Sequence, residues 1–166
     1  MQTEIPIPNI FCLVKGAGEA RTLLNAFDKA LIAAGVGDTN LLQMSSIVPP
    51  GAEEQGTISL PKGGLIPTAY GQIASDIPGD VISAAVAVAL PEDPAQAGVI
   101  MEYEGRQPLS EVEAKVHQMA EDAFAYRRRK LREIKSIGVE HIVKQCGAVF
   151  AGVILWYDSL QNHSLK

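Results

Sequence analysis

The sequence predicts an α+β fold, a layered sandwich with two sheets inside and helices outside. Three observations point there. Strand-like segments come in runs and do not alternate with helices, which implies mostly antiparallel pairing. Residues 81–90 hold almost no polar side chain, the pattern of a strand buried on both faces. Aromatic residues are scarce at 5% while Ala, Val, Ile and Gly abound, which suits a sheet-rich core of small and branched side chains.

Residues 9–15 read as a first strand, ended by Gly16-Ala17-Gly18. Residues 22–34 read as a helix, because Leu24, Phe27, Leu31 and Ala34 recur at three-and-four spacing on one face. Gly35 stands where a left-handed C-cap belongs. Residues 39–46 read as a short strand that stops before Pro49-Pro50, since proline cannot donate to a ladder. Residues 52–56 are polar and turn-like. Residues 57–60 and 65–75 read as strands separated by the Pro61-Lys62-Gly63-Gly64 turn.

A second turn, residues 76–80, leads into the apolar strand 81–90. Residues 98–104 form a strand that closes at Gly105. Ser110 and Glu113 have capping-box spacing, and Val112, Val116, Met119, Ala123 and Phe124 continue one helical stripe to about Arg129. Residues 134–143 and 146–157 complete the strands. The tail from Asp158 is polar and reads as frayed.

A chain of 166 residues suits one domain, and no repeat or linker divides it. Its net charge of −5 argues against sequence-independent nucleic-acid binding, which needs a dense basic face. The basic run Arg127-Arg128-Arg129-Lys130 reads as a solvated helix end complementing the dipole, or else as an anion or partner site. Residues 1–9 have neither a basic nor an apolar signal region, and no apolar run is long enough to span a bilayer. No secretion signal or membrane partner is therefore expected, and a cytoplasmic location is. Cys12 and Cys146 sit alone in apolar segments and read as buried, reduced thiols. His117, His141 and His163 share no ligand spacing, so no metal site is expected.

Familiar catalytic motifs are missing: there is no GxGxxG, no P-loop lysine and no GxSxG elbow. Three local features stand out instead. Ser45-Ser46 lies between an apolar strand and a double proline. Asp28 shares a helix surface with Leu24 and Leu31. Glu102 follows the apolar Val99, Ile100 and Met101. Each also has an ordinary reading, as a turn, as a helix carboxylate paired to Lys29 or Arg21, and as an outward strand residue. Spacing does not decide between them.

The segments Leu24-Asn25-Ala26-Phe27-Asp28, Met44-Ser45-Ser46-Ile47-Val48-Pro49-Pro50, Ile66-Pro67-Thr68-Ala69-Tyr70-Gly71 and Ile100-Met101-Glu102-Tyr103-Glu104-Gly105 resemble the pyruvoyl-dependent arginine decarboxylases. Ser75-Asp76-Ile77-Pro78-Gly79, Ser136-Ile137-Gly138-Val139-Glu140-His141 and residues 151–157 continue the likeness in the family's order. The resemblance implies a four-layer αββα sandwich assembled as a homotrimer of self-cleaved protomers, with sites between them.

It also implies a function: decarboxylation of L-arginine to agmatine after self-cleavage at Ser45-Ser46. The Ser46 hydroxyl attacks the Ser45 carbonyl and turns the amide into an ester. Elimination then splits the chain into residues 1–45 and 46–166, and hydrolysis of the resulting dehydroalanine leaves a pyruvoyl group and ammonia. The family assigns Asn40 a hydrogen bond in this processing step and Glu102 the role of acid in decarboxylation. Asp28 would receive the substrate guanidinium, whose planar edge suits a carboxylate. Leu24, Leu31 and Ile47 would line the aliphatic stem, and Gly37 and Thr39 would offer backbone groups. Thr39 stands where the family usually has an apolar residue, so its backbone carries that expectation. Ser45, as a new C-terminus, would add a carboxylate.

Two alternatives remain at this point. One is the same machinery acting on another amino acid, against which Asp28 counts because it would repel an acidic substrate. The other is an uncleaved, non-enzymatic trimeric subunit, against which the intact Ser45-Ser46 pair counts.

Overall fold

Residues 5–158 are described by a computed structural model. Strand β1 (Ile10–Ala20) pairs antiparallel with β9 (Cys146–Trp156), and β9 pairs antiparallel with β5 (Leu65–Ser75). Two short strands flank them. β2 (Asn40–Gln43) runs parallel to β5, and β4 (Glu53–Glu54) runs parallel to β1, giving a mixed sheet of order β2-β5-β9-β1-β4. The second sheet is antiparallel throughout, in the order β3 (Ile47–Val48), β7 (Gly98–Gly105), β6 (Val81–Pro91) and β8 (Leu131–Ile142). The antiparallel expectation thus holds for the long strands and is corrected at β2 and β4. Neither short strand is joined to its partner by a hairpin, and residues 44–64 are long enough to make the parallel crossover.

With α1 (Leu23–Ala33) and α2 (Leu109–Arg127), the described residues form an α+β protein of two sheets and two helices. Side-chain alternation along β6 feeds two separate apolar clusters. Ile82, Val86, Val88 and Leu90 pack with Phe11, Val149, Val153 and Leu155 of the other sheet. Ala85, Ala87 and Ala89 pack under Val112, Val116, Ala120 and Phe124 of α2. A third cluster joins Ala26 and Ala30 of α1 to Ala148, Phe150 and Ile154 of β9. No helix among the described residues is long and apolar enough to cross a membrane.

Several local expectations are corrected. The Gly16-Ala17-Gly18 triplet does not end β1, which continues to Ala20. A Cβ on Gly16 would collide with the Ala30 carbonyl oxygen, and one on Gly18 would lie 2.5 Å from that of Ala26. These glycines let α1 lie directly on the strand. The buried face of α1 is accordingly Ala26 and Ala30, while Leu24 is 77% exposed. Thr22 caps α1 by accepting the Asn25 N–H at 3.2 Å, and Gly35 takes the expected left-handed conformation with φ 80°.

Ser110 does not cap α2. The Leu109 N–H donates instead to the Glu140 carboxylate at 2.8 Å, so β8 supplies the anion that the helix N-terminus favours. The helix stops at Arg127 because Arg128 is left-handed, with φ 55°. Residues 57–60 form no strand, Glu53–Glu54 does, and the strand expected to reach Ser46 ends at Gln43. Both cysteines are unpaired, but only Cys12 is buried; Cys146, at the start of β9, is half-exposed. His163 and the expected frayed tail beyond Asp158 lie outside the described residues.

Candidate active site

The chain changes sheets between β2 and β3. The Met44 N–H donates to the Thr68 carbonyl in the first sheet at 3.2 Å, and the Ile100 N–H in the second sheet donates to the Ser46 carbonyl at 2.8 Å. Ser45 spans the gap. Ser46 takes up the change of direction with φ 71°, a left-handed conformation shared among described non-glycine residues only by Arg128. Holding a β-substituted residue there costs about 1–3 kcal/mol, and the two-sided anchoring keeps it in place.

The Ser46 hydroxyl donates to the Glu102 carboxylate, at 3.0 Å from Oε1 and 3.1 Å from Oε2. Glu102 sits on β7 opposite Val86 of β6 and is half-buried. Burial pushes its carboxyl above the usual range, the Ser46 hydrogen bond pulls it back, and the nearby charge of Glu104 raises it further. Glu104, two residues along the same strand, is also raised by burial.

In front of this pair lies a cavity of about 280 Å³. Met44, Ile47, Val99, Met101 and Met119 give it an apolar wall. Its polar members are Ser45, Ser46, Glu102 and Arg127. Sequence reading placed Met119 in the helical stripe and Arg127 in a basic run, and identified neither with the site. Their only signal was α2 itself, whose packing on β7 brings both to the cavity.

The remaining sequence-stated candidates lie elsewhere on the chain. Leu24 and Asp28 are exposed on α1, and Leu31 is half-buried against the α1 cluster. Thr39 donates its hydroxyl to the Val36 carbonyl at 2.8 Å, and Gly37 abuts Ile32. The Asn40 side-chain amide donates to the Gly63 carbonyl at 3.0 Å, fastening the turn before β5. None of these six lines the cavity at Ser46. One protomer therefore brings Ser45, Ser46, Ile47 and Glu102 together and leaves Leu24, Asp28, Leu31, Gly37, Thr39 and Asn40 apart.

A larger cavity of about 510 Å³ lies at Glu54, Arg132, Glu133 and Lys135. Four of its charges are paired among themselves, Lys135 with Glu54 at 2.6 Å and Arg132 with Glu133 at 3.0 Å. It offers no hydroxyl or thiol nucleophile.

Residues 10–159 match the family model described as pyruvoyl-dependent arginine decarboxylase. The pyruvoyl-dependent arginine decarboxylase of Methanocaldococcus jannaschii is 50% identical over 151 residues, covering 91% of this chain and 92% of that one. Its namesake from Methanococcus vannielii is 45% identical over 150 residues, covering 90% and 92%. The one from Pyrococcus abyssi is 39% identical over 152 residues, covering 90% and 96%. A solved pyruvoyl-dependent histidine decarboxylase overlaps 55% of this chain and 51% of its own, at 15% identity and a TM-score of 0.47. With a family match that runs from β1 to the end of β9 and takes in the whole of the Ser46 cavity, the chain belongs to the pyruvoyl-dependent arginine decarboxylase family.

Proposed function

We propose that the protein decarboxylates L-arginine to agmatine and carbon dioxide, using a pyruvoyl group made from its own Ser46. The observation that carries this is the state of Ser46, bent left-handed at the crossing between sheets with its hydroxyl on the Glu102 carboxylate. Such a group is formed in place, so its fit depends on what surrounds the serine. Apolar side chains form one wall of the cavity, and Glu102 is the one carboxylate lining it among the described residues. These residues fit.

Self-cleavage starts when Glu102 takes the Ser46 proton and Oγ attacks the Ser45 carbonyl carbon. The Ser45–Ser46 amide becomes an ester. Loss of the Ser46 α-proton then breaks the Cβ–O bond, leaving Ser45 with a carboxylate and residue 46 as dehydroalanine. Hydrolysis releases ammonia. The single domain is thereby cut into residues 1–45 and 46–166. When present at position 46, next to Glu102 and the apolar wall, the pyruvoyl ketone would supply a carbonyl for the substrate amine and an electron sink for loss of carbon dioxide. Glu102 returns a proton to the substrate Cα, a task suited to a carboxyl held above its usual range.

The guanidinium falls to Asp28, and a second copy of the chain brings it to the cavity. Leu24, Ile32, Leu42 and Leu65 are exposed apolar residues on α1, β2 and β5, the kind of surface that association buries. Closed rotational symmetry makes every such contact equivalent, and the resemblance supplies the number three. In the same arrangement Leu31, Gly37 and Thr39 serve the substrate stem and guanidinium, and Asn40 acts in processing. The three apolar clusters support the full αββα layering, one cluster between the sheets and one under each helix. Two free thiols suit a cytoplasmic location.

The test combines a denaturing mass spectrum with carbon dioxide release from arginine, lysine, histidine and aspartate. Two fragments and a preference for arginine are expected. A single intact chain that decarboxylates arginine at full rate would overturn the pyruvoyl mechanism.

A further inference from the structure

We infer that Arg127 binds the α-carboxylate of the substrate and so fixes the direction in which arginine enters. The inference rests on the proposed decarboxylation. Arg127 closes α2 and is half-buried, and it is the one cationic side chain lining the Ser46 cavity among the described residues. It forms no ion pair with any described residue. One guanidinium nitrogen donates to the Ala123 carbonyl at 3.2 Å, one turn back along the helix. The group also lies over the Tyr126 ring, 5.1 Å from its centroid. These two contacts hold the side chain in place and leave most of its five N–H donors unused.

The substrate supplies what is missing. Its α-amine must reach position 46, and its carboxylate is attached to the same carbon as that amine. Met44, Ile47, Val99, Met101 and Met119 give the cavity apolar walls, so a carboxylate entering it has Arg127 as its only cationic partner among the described residues. The same charge repels the substrate's guanidinium. One end of arginine is therefore drawn toward Arg127 and the other is driven away, which leaves the guanidinium for a carboxylate outside this cavity. A basic run that reads from sequence as a solvated helix end, or else as an anion or partner site, thus divides its work. Arg128 and Lys130 stay exposed, and Arg129 donates to the Ala97 carbonyl at 2.7 Å. Arg127 alone reaches the cavity.

The contact has a distinctive kinetic consequence. The carboxylate loses its charge as carbon dioxide forms, so Arg127 holds the bound substrate more tightly than the transition state. Removing it weakens binding without slowing the chemistry. The experiment uses the cleaved, full-length protein with Arg127→Met and Arg127→Lys, measuring KM and kcat for arginine and inhibition by agmatine, which lacks the carboxylate. Arg127→Met should raise KM for arginine roughly 10- to 100-fold, the scale of a hydrogen bond between charged groups. Its kcat should stay within about twofold or rise, and agmatine inhibition should not change. Arg127→Lys should fall between, because a point charge replaces a planar fork. An unchanged KM for arginine, or agmatine inhibition weakened in step with KM, overturns the inference while leaving the proposed activity standing. A parent protein that releases no carbon dioxide from arginine overturns both.

Discussion

The Ser46 hydroxyl lies 3.0 Å from one carboxylate oxygen of Glu102 and 3.1 Å from the other, joining residues 56 positions apart in sequence. A hydroxyl shared between both oxygens of one carboxylate is placed to give up its proton. The same serine is bent into a left-handed backbone. In the proposed cleavage, proton removal from the nucleophile and a strained backbone beside the bond it attacks would meet in one residue.

The proposed self-cleavage depends on that hydroxyl. Ser46→Ala should run as one full-length chain in a denaturing mass spectrum and release no carbon dioxide from arginine. The parent should show fragments ending at Ser45 and starting at residue 46. Cleavage of the alanine variant at the same bond would remove Ser46 from the mechanism.

Glu102 is expected to act twice. Glu102→Gln keeps the acceptor but cannot take the Ser46 proton, so cleavage should slow. Turnover by whatever cleaved protein forms should drop by about 10²-fold or more, the usual scale for losing a general acid. The acid works while protonated, and its pKa is raised by burial and by the charge of Glu104 against the Ser46 hydrogen bond. Parent kcat should therefore hold at low pH and decline as pH rises through a pKa above that of ordinary glutamate. Cleavage removes the Ser46 hydroxyl, which in the uncut chain lowers that pKa, so the limb should move higher still. A kcat–pH profile of the same shape in parent and variant would exclude this role.

Asp28 and Glu102 should meet only between copies. Asp28→Asn should lower kcat/KM for arginine about 30-fold to several thousand-fold, the range for losing one partner of a buried charge pair, with cleavage intact. Unfolding and refolding an equal mixture of Asp28→Asn and Glu102→Gln chains should restore about one site in four, since each contributor is intact in half of random pairings. Activity no higher than the two variants assayed separately would place the whole site in one chain.

The seating of α1 can be tested through stability. Gly16→Ala places a Cβ against the Ala30 carbonyl, a contact that no side-chain rotation relieves. Thermal unfolding should show a loss of about 1–3 kcal/mol, the usual cost of overpacking. Gly56→Ala, with no atom within 4 Å of the added carbon, is the control and should be neutral or slightly stabilising. Equal melting of the Gly16 variant and the parent would mean that α1 does not rest on β1 as described.

What the sequence determined by itself was everything that depends on local periodicity or on a contiguous motif. The apolar run 81–90 reads as a strand covered on both faces, and β6 is one. The stripe from Val112 to Phe124 reads as a helix with one apolar face, and α2 is a helix lying on a core. The order around Ser45-Ser46 and Glu102 was enough to carry the family resemblance. Tertiary structure decided whatever depends on which distant segments meet. Gly16 and Gly18 resemble a strand end until α1 is seen lying across them, and Ser110 resembles a cap until Glu140 arrives from β8. Leu24 reads as core because spacing records which residues share a helix face, not which face the sheet covers. The separation of Asp28 from Ser46 has the same origin. Short-range pattern encodes the direction of each side chain about its own element, whereas a site is set by the packing of elements against one another.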